Sequence, residues 1–237
     1  MDKLGHTPIA IKDKTMKSHW LLLTTAALFL SACSSDDLEE ELETINFGSD
    51  YYKNDYYLLN ATDYELDYHI ANTQLNGDER DVADDDYYLA TLAKDAQQYA
   101  ITHESNANRK LSLYVAARNV FGPVAQKKVE VEYDHAYHVV AWQNAAQINI
   151  SLIEQQQDNQ DNAYALRIFA AEPIQVSIKG HAFSLDAGEL SAFVHGSDCD
   201  SDIKIAQKNV DLCTTSFNRS YLLVANQQGL AALYTEQ

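Results

Sequence analysis

Beyond Asp50, apolar and polar residues alternate in short runs. Leu66-Asp67-Tyr68-His69-Ile70, Leu111-Ser112-Leu113-Tyr114-Val115 and Val129-Glu130-Val131-Glu132-Tyr133 place an apolar side chain at every second position. Ile148-Asn149-Ile150-Ser151-Leu152 and Ile174-Gln175-Val176-Ser177-Ile178 repeat the period, which is that of a strand with one buried face. A 3.6-residue stripe is scarcely present after Thr44, and Leu89 to Ala100 is the one segment the pattern assigns to a short helix. Lys179-Gly180 and Asp186-Ala187-Gly188 separate three short apolar stretches and predict two consecutive tight turns in a meander. Short strands punctuated in this way predict an all-β fold of sandwich type rather than a parallel α/β sheet.

The strand pattern also repeats. Leu58, Leu66, Tyr68 and Ile70 match Leu166, Ile174, Val176 and Ile178 at one constant offset. Tyr137-His138-Val139-Val140-Ala141 likewise matches Tyr221-Leu222-Leu223-Val224-Ala225, and both stretches run on to a Glu-Gln pair. Two similar units in tandem explain this most simply, with boundaries at 51–156 and 163–237. The polar run from Gln155 to Asn162 has the composition of the linker between them.

Upstream of these units, residues 1–32 have the composition of a leader. Met16 opens a short basic stretch, an apolar run extends from Trp20 to Leu30, and Leu30-Ser31-Ala32-Cys33 follows. That run is shorter than the roughly 20 residues of a membrane span. The polar stretch before Met16 does not suit a leader, which makes Met16 the expected start. Small residues ahead of a Cys match what a lipoprotein signal peptidase needs, so this segment resembles the leaders of bacterial lipoproteins. The resemblance implies lipid attachment (palmitate among the acyl groups) at Cys33. Ser34 and Ser35 stand where such lipoproteins carry Asp when retained on the inner membrane, which implies the outer membrane as destination. Acyl chains contribute about 0.8 kcal/mol per buried methylene and attach the protein without a spanning helix. Residues 33–50 continue as an acidic linker, Ser-Ser-Asp-Asp-Leu-Glu-Glu-Glu-Leu-Glu at its core, whose like charges extend the chain.

Charge narrows the partners. Asp and Glu outnumber Lys and Arg by 35 to 17, a formal charge of -18, which excludes a nucleic-acid binder working by phosphate neutralisation. Hydrophobic residues at 46 % and charged residues at 22 % are ample for a packed core.

The two-unit layout resembles the tandem immunoglobulin-like β-sandwich domains of unknown function carried by many bacterial lipoproteins. The residues behind this are Leu58-Leu59-Asn60-Ala61 opening the first unit, and Tyr137 to Ala141 and Tyr221 to Ala225 closing the two. The acidic excursion Asn76 to Tyr88 and the loop around Cys199 depart from that pattern.

Candidate chemistry is sparse. With Cys33 lipidated, Cys199 and Cys213 remain, and in an oxidising envelope the natural expectation is a structural disulfide. Asp198, Asp200 and Asp202 alternate, and carboxylates two apart can converge on Ca²⁺, although the Gly and closing Glu of an EF-hand loop are missing. A solvated acidic loop is the plainer reading, for these three as for Asp84-Asp85-Asp86; Ca²⁺ is the one cofactor the sequence suggests. His135 and His138 fall three apart on a strand and so on opposite faces. No Gly-x-Ser-x-Gly, His-Glu-x-x-His or phosphate-cradling glycine loop occurs. Of the 15 tyrosines, eight lie between Tyr51 and Tyr88, where packing is favoured over exposed contact area. These features together favour a non-catalytic binding or assembly module of the cell envelope, meeting the membrane through lipid and a protein or glycan partner through its surface. A glycan hydrolase using the acidic first-unit loop and a Ca²⁺-stabilised spacer are the alternatives.

Overall fold

The structure is a computed structural model that describes residues 52–94 and 96–236. Cys33, the leader and the acidic linker lie outside the described residues. Eight strands form the first unit: β1 (Tyr52–Ala61), β2 (Leu66–Asn72), β3 (Tyr88–Leu92), β4 (Tyr99–Ser105), β5 (Lys110–Ala117), β6 (Val124–Glu130), β7 (Ala136–Asn144) and β8 (Gln147–Glu154). Eight more form the second: β9 (Tyr164–Ala170), β10 (Ile174–Ile178), β11 (His181–Leu185), β12 (Val194–Gly196), β13 (Ile203–Ile205), β14 (Lys208–Asn209), β15 (Arg219–Asn226) and β16 (Gly229–Thr235).

Each unit is a sandwich of two four-stranded sheets, and the strand orders are the same. The first has β4-β1-β7-β8 against β3-β2-β5-β6, the second β12-β9-β15-β16 against β11-β10-β13-β14. In each, the first strand runs parallel to the seventh and the other pairings are antiparallel. A parallel pair inside one sheet departs from the two antiparallel sheets of an immunoglobulin domain. The two units share one local device: Tyr137 and Tyr221, near the starts of β7 and β15, accept from the Glu132 and Ser216 amides five residues upstream, at 2.8 and 2.9 Å.

Residues matched between the halves do the same work in each. Leu58, Leu66, Tyr68 and Ile70 fill the first sandwich core, and Leu166, Ile174, Val176 and Ile178 fill the second. Asn60, near the end of β1, ties the β1–β2 connection to the end of β3. Its amide donates to the carbonyls of Tyr64, Leu92 and Ala93, while its oxygen accepts from Thr62.

A third apolar cluster lies outside both sandwiches. Leu59, Val140 and Ile153 from the first unit meet Phe169, Ala171, Leu222 and Val224 from the second, so the sheets containing β1 and β9 pack face to face. Four sheets stack, and the central strands of the two inner ones are buried on both sides. All seven residues of β9 are buried for this reason, and strands buried on both faces read as continuous apolar runs rather than as alternation.

Three local expectations differ from the structure. Leu89 to Ala100 is not helical: β3 places Ala90 and Leu92 inward with the two-residue period, pairs with β2, and β4 then pairs with β1. Val129 to Tyr133 is strand only to Glu130, because Asp134, at φ 58°, turns the chain towards β7. Lys179-Gly180 forms the expected hairpin turn, both residues at positive φ. The second turn at Asp186 to Gly188 instead carries the chain across to the other sheet, where β12 joins β9.

Candidate binding cleft at the seam

Where the two units meet, small apolar side chains give way to a buried polar cluster. Arg167 interrupts the apolar run of β9, with its Nε donating to Glu236 at 3.0 Å and Nη2 to the second Glu236 oxygen. Nη2 also donates to the Glu154 carbonyl at 2.7 Å, which ties the end of β8 to β9. The guanidinium lies 5.2 Å from the Phe193 ring centre. Both charged side chains are shielded from solvent, the setting in which losing one partner is far more damaging than losing both. Burial pushes the Glu236 carboxyl up, and the Arg167 guanidinium pulls it part of the way back.

Beside this pair sits His138 on β7, fully buried, with both ring nitrogens lacking a hydrogen-bond partner. Glu236 is its nearest acid at 3.9 Å, beyond hydrogen-bond reach, and Tyr57 and Tyr234 flank the ring at 5.8 and 6.2 Å between centres. Burial first, then the Arg167 charge, holds the imidazole neutral, down to about 3. Nearby, Trp142 of β7 lies against Phe169, and its indole covers the Gly188 backbone so closely that an added Cβ would stand 2.4 Å from the ring.

Two adjoining clefts open along this seam. One, of about 950 Å³, is lined by Gln97, Gln98, Gln157, Asn159, Asn218, Arg219 and residues 232–236. The other, of about 560 Å³, includes Asn60, Asp63, Gln143, Glu172 and Asn226. Ala96, Ala232 and Tyr234 belong to both, making one continuous groove between the units. Its acids are engaged: Asp63 with Lys94 at 2.6 Å, Glu172 with the Gln227 amide at 3.0 Å, Glu236 with Arg167. What the groove offers is side-chain amides together with the Arg219 cation, a surface for holding a polar ligand rather than for moving protons.

The residues singled out by sequence lie elsewhere. Cys199 and Cys213 form a disulfide with Cα atoms 4.8 Å apart, Cys199 packing against the second core. The neighbouring carboxylates do not converge as a Ca²⁺ cage. Asp202 turns inward and accepts from the Ser197 and Asp198 amides, at 2.7 and 2.9 Å, and these bonds hold it below the usual carboxylate range. Asp198 accepts from the Asp200 and Ser201 amides and is held down in the same way, while the Asp198 carboxyl beside Asp200 pushes that group up. Among the described residues, no group of three or more His, Cys, Asp or Glu is placed to hold a metal.

The acidic excursion of the first unit behaves similarly. Asp78, Asp81 and Asp84 accept from backbone amides two residues on or from a neighbouring Asn, and none of the excursion's acids lines the seam clefts. Tyr56, Tyr57, Tyr64 and Tyr68 pack inward, and burial pushes the Tyr56 phenol up to about 12. His135 and His138 separate as strand geometry requires, His135 meeting Glu154 at 2.8 Å while His138 enters the seam. Arg167 and Glu236 were not foreseeable as a pair, although a lone cation inside Tyr-Ala-Leu-Arg-Ile-Phe-Ala is the kind of break in a buried strand that signals an ionic partner. Set against known proteins, the chain matches no family model and no curated protein.

Proposed function

We propose that this protein is a lipid-tethered, non-catalytic recognition module of the cell envelope, held at the outer membrane through Cys33 and binding its partner in the groove between its two sandwiches. The observation that carries the reading is the groove's chemistry: a long cleft of side-chain amides whose carboxylates are already engaged by Lys94, Arg167 or a backbone amide. Such a surface supplies directional hydrogen bonds without a free acid and base to exchange protons. The leader ending in Leu30-Ser31-Ala32-Cys33, the acidic spacer and the disulfide all suit an exported protein. The tandem layout is the one that the resemblance to lipoproteins with paired β domains implies.

Two measurements test it. Labelled palmitate is expected to enter the wild-type chain and not Cys33→Ala, which should leave the membrane fraction. A photo-reactive residue replacing Gln97, in the groove, should cross-link an envelope component that the same residue replacing Gln126, on the outer sheet, does not capture. Absence of label, or equal capture from both positions, would refute the proposal.

A further inference from the structure

The larger cleft is lined by five consecutive residues, Ala232 to Glu236. Successive side chains of a strand point to opposite faces, so a cleft facing one side of a sheet touches every second residue. Contact with an unbroken run means that the cleft faces the strand's edge. β16 is the last strand in the order β12-β9-β15-β16, and among the described residues no strand neighbours the backbone groups of its outer edge.

Register shows which groups these are. The Glu236 amide donates to the Ser220 carbonyl at 2.9 Å, which makes Ser220 and Glu236 a hydrogen-bonded pair. Tyr221 opposite Thr235 and Leu223 opposite Leu233 are then the alternating non-bonded pairs. The N–H and C=O of Leu233 and Thr235 therefore point away from β15, into the cleft.

Comparison with the other inner-sheet edges sharpens the point. β12 spans only three residues. β4 carries His103 and Glu104, and β8 is crossed by Lys127, which donates to the Ile150 carbonyl at 3.1 Å. Short length, charge and cover are the devices by which edges are made unreceptive. β16, Gly-Leu-Ala-Ala-Leu-Tyr-Thr, has no charge and no proline, and its one bulge, at Ala231, lies ahead of the stretch lining the cleft. The cleft is also built at its far end, where Asn159 accepts from Ser220 at 2.9 Å and the Asp158 amide donates to the same hydroxyl.

We infer that the protein captures an extended peptide segment of a partner protein as an added strand along β16, through the outward backbone groups of Leu233 and Thr235. This rests on the recognition reading above and names how the groove is used. The stretch from Ala232 to Glu236 spans about 17 Å at roughly 3.4 Å per residue, enough to pair four or five partner residues. Charge specifies the segment. The formal charge of -18 over the whole sequence attracts a basic strand and repels a second copy of the chain, so the occupant is a different protein. The lining of alanine and amide side chains suits small apolar residues alternating with polar or basic ones.

The test uses the whole chain and a fluorescent Lys-Val-Thr-Val-Lys-Val-Thr peptide, read by anisotropy and by amide hydrogen exchange. Expected are saturable binding below 1 mM and new protection at Leu233 and Thr235. Thr235→Pro removes one outward N–H while sparing the ladder to β15, and should weaken binding about tenfold, or about 1.4 kcal/mol. Thr235→Val keeps the N–H and should bind as wild type, and unchanged melting of both variants checks the fold. A proline-interrupted peptide of equal charge should not bind, and an acidic analogue should bind more weakly. The inference fails if no peptide binds by 1 mM, if the interrupted peptide binds equally, if Thr235→Pro is silent, or if β16 instead pairs two copies of this chain. Should Gln97 cross-link an envelope partner while every strand peptide fails, recognition stands and strand addition falls.

Discussion

At the scale of single residues, the seam is where substitutions act most strongly. Gly188 sits at φ +83° with its backbone under the Trp142 indole, so Gly188→Ala combines an unfavourable dihedral with a Cβ driven 2.4 Å from an aromatic carbon. The left-handed conformation costs about 1 kcal/mol and overpacking about 1–3 kcal/mol more, and denaturant unfolding should register a loss of about 2–4 kcal/mol. Gly188→Ala should cost less in a Trp142→Ala background, where the clash is absent; strict additivity would show that Trp142 is not its source. Arg167 makes a second case. Arg167→Met strands the buried Glu236 carboxylate and the Glu154 carbonyl, and should destabilise by about 3–5 kcal/mol. Arg167→Met/Glu236→Leu should recover most of that loss, because a matched apolar pair leaves no uncompensated charge.

At the scale of strands, the duplicated elements predict duplicated energetics. Tyr137→Phe and Tyr221→Phe each remove a hydroxyl that accepts from the amide five residues upstream, and each should cost about 1 kcal/mol by thermal or chemical melting. Tyr221 also donates to the Ser216 carbonyl, so its variant should be the worse of the two. Cys199→Ser, opening a loop of 14 residues, should cost about 3 kcal/mol in the chain-entropy model and leave the first sandwich untouched. Strand period made much of this legible beforehand. β2, β5, β8 and β10 have one face in a sandwich core, so alternation reported them, and the offset between Leu58 and Leu166 marks residues with the same place in each core. Leu89 to Ala100 misled because β3 is short and its apolar residues neighbour a turn, which imitates helical spacing over a few positions. The seam was hidden for a different reason. In Tyr-His-Val-Val-Ala and Tyr-Leu-Leu-Val-Ala every position is apolar or enclosed, and a run without alternation does not tell which face meets a core and which a second sheet. Cleft residues such as Gln97, Gln157 and Asn218 come from three separate connections and share nothing in sequence.

For the whole molecule, the buried His138 makes the docking of the two sandwiches dependent on acidity. Its ordinary value of 6.5 falls to about 3 in the folded protein, so between those limits the unfolded chain binds the extra proton. Stability from this group is complete above about pH 6.5 and is lost as pH falls towards 3, at up to about 1.4 kcal/mol per pH unit. His103, also pushed down by burial in the first unit, adds the same sign. Glu236 has the opposite sign: its carboxyl is raised above 4.5, so its contribution is present below that value and is lost as pH rises through the folded value. The two seam groups therefore oppose each other just above pH 4.5, and below it the histidine acts against little resistance. Chemical unfolding from pH 7 to 4 should show a shallow decline giving way to a steep one below about pH 4.5. His138→Phe keeps the ring volume and removes the proton site, and it should flatten the steep limb while the smaller His103 slope survives. A wild-type limb retained in His138→Phe would assign the acid sensitivity to groups outside the seam. A flattened limb would identify one unpartnered imidazole as the point at which protons reach the interface, and hence the groove that the interface holds in shape.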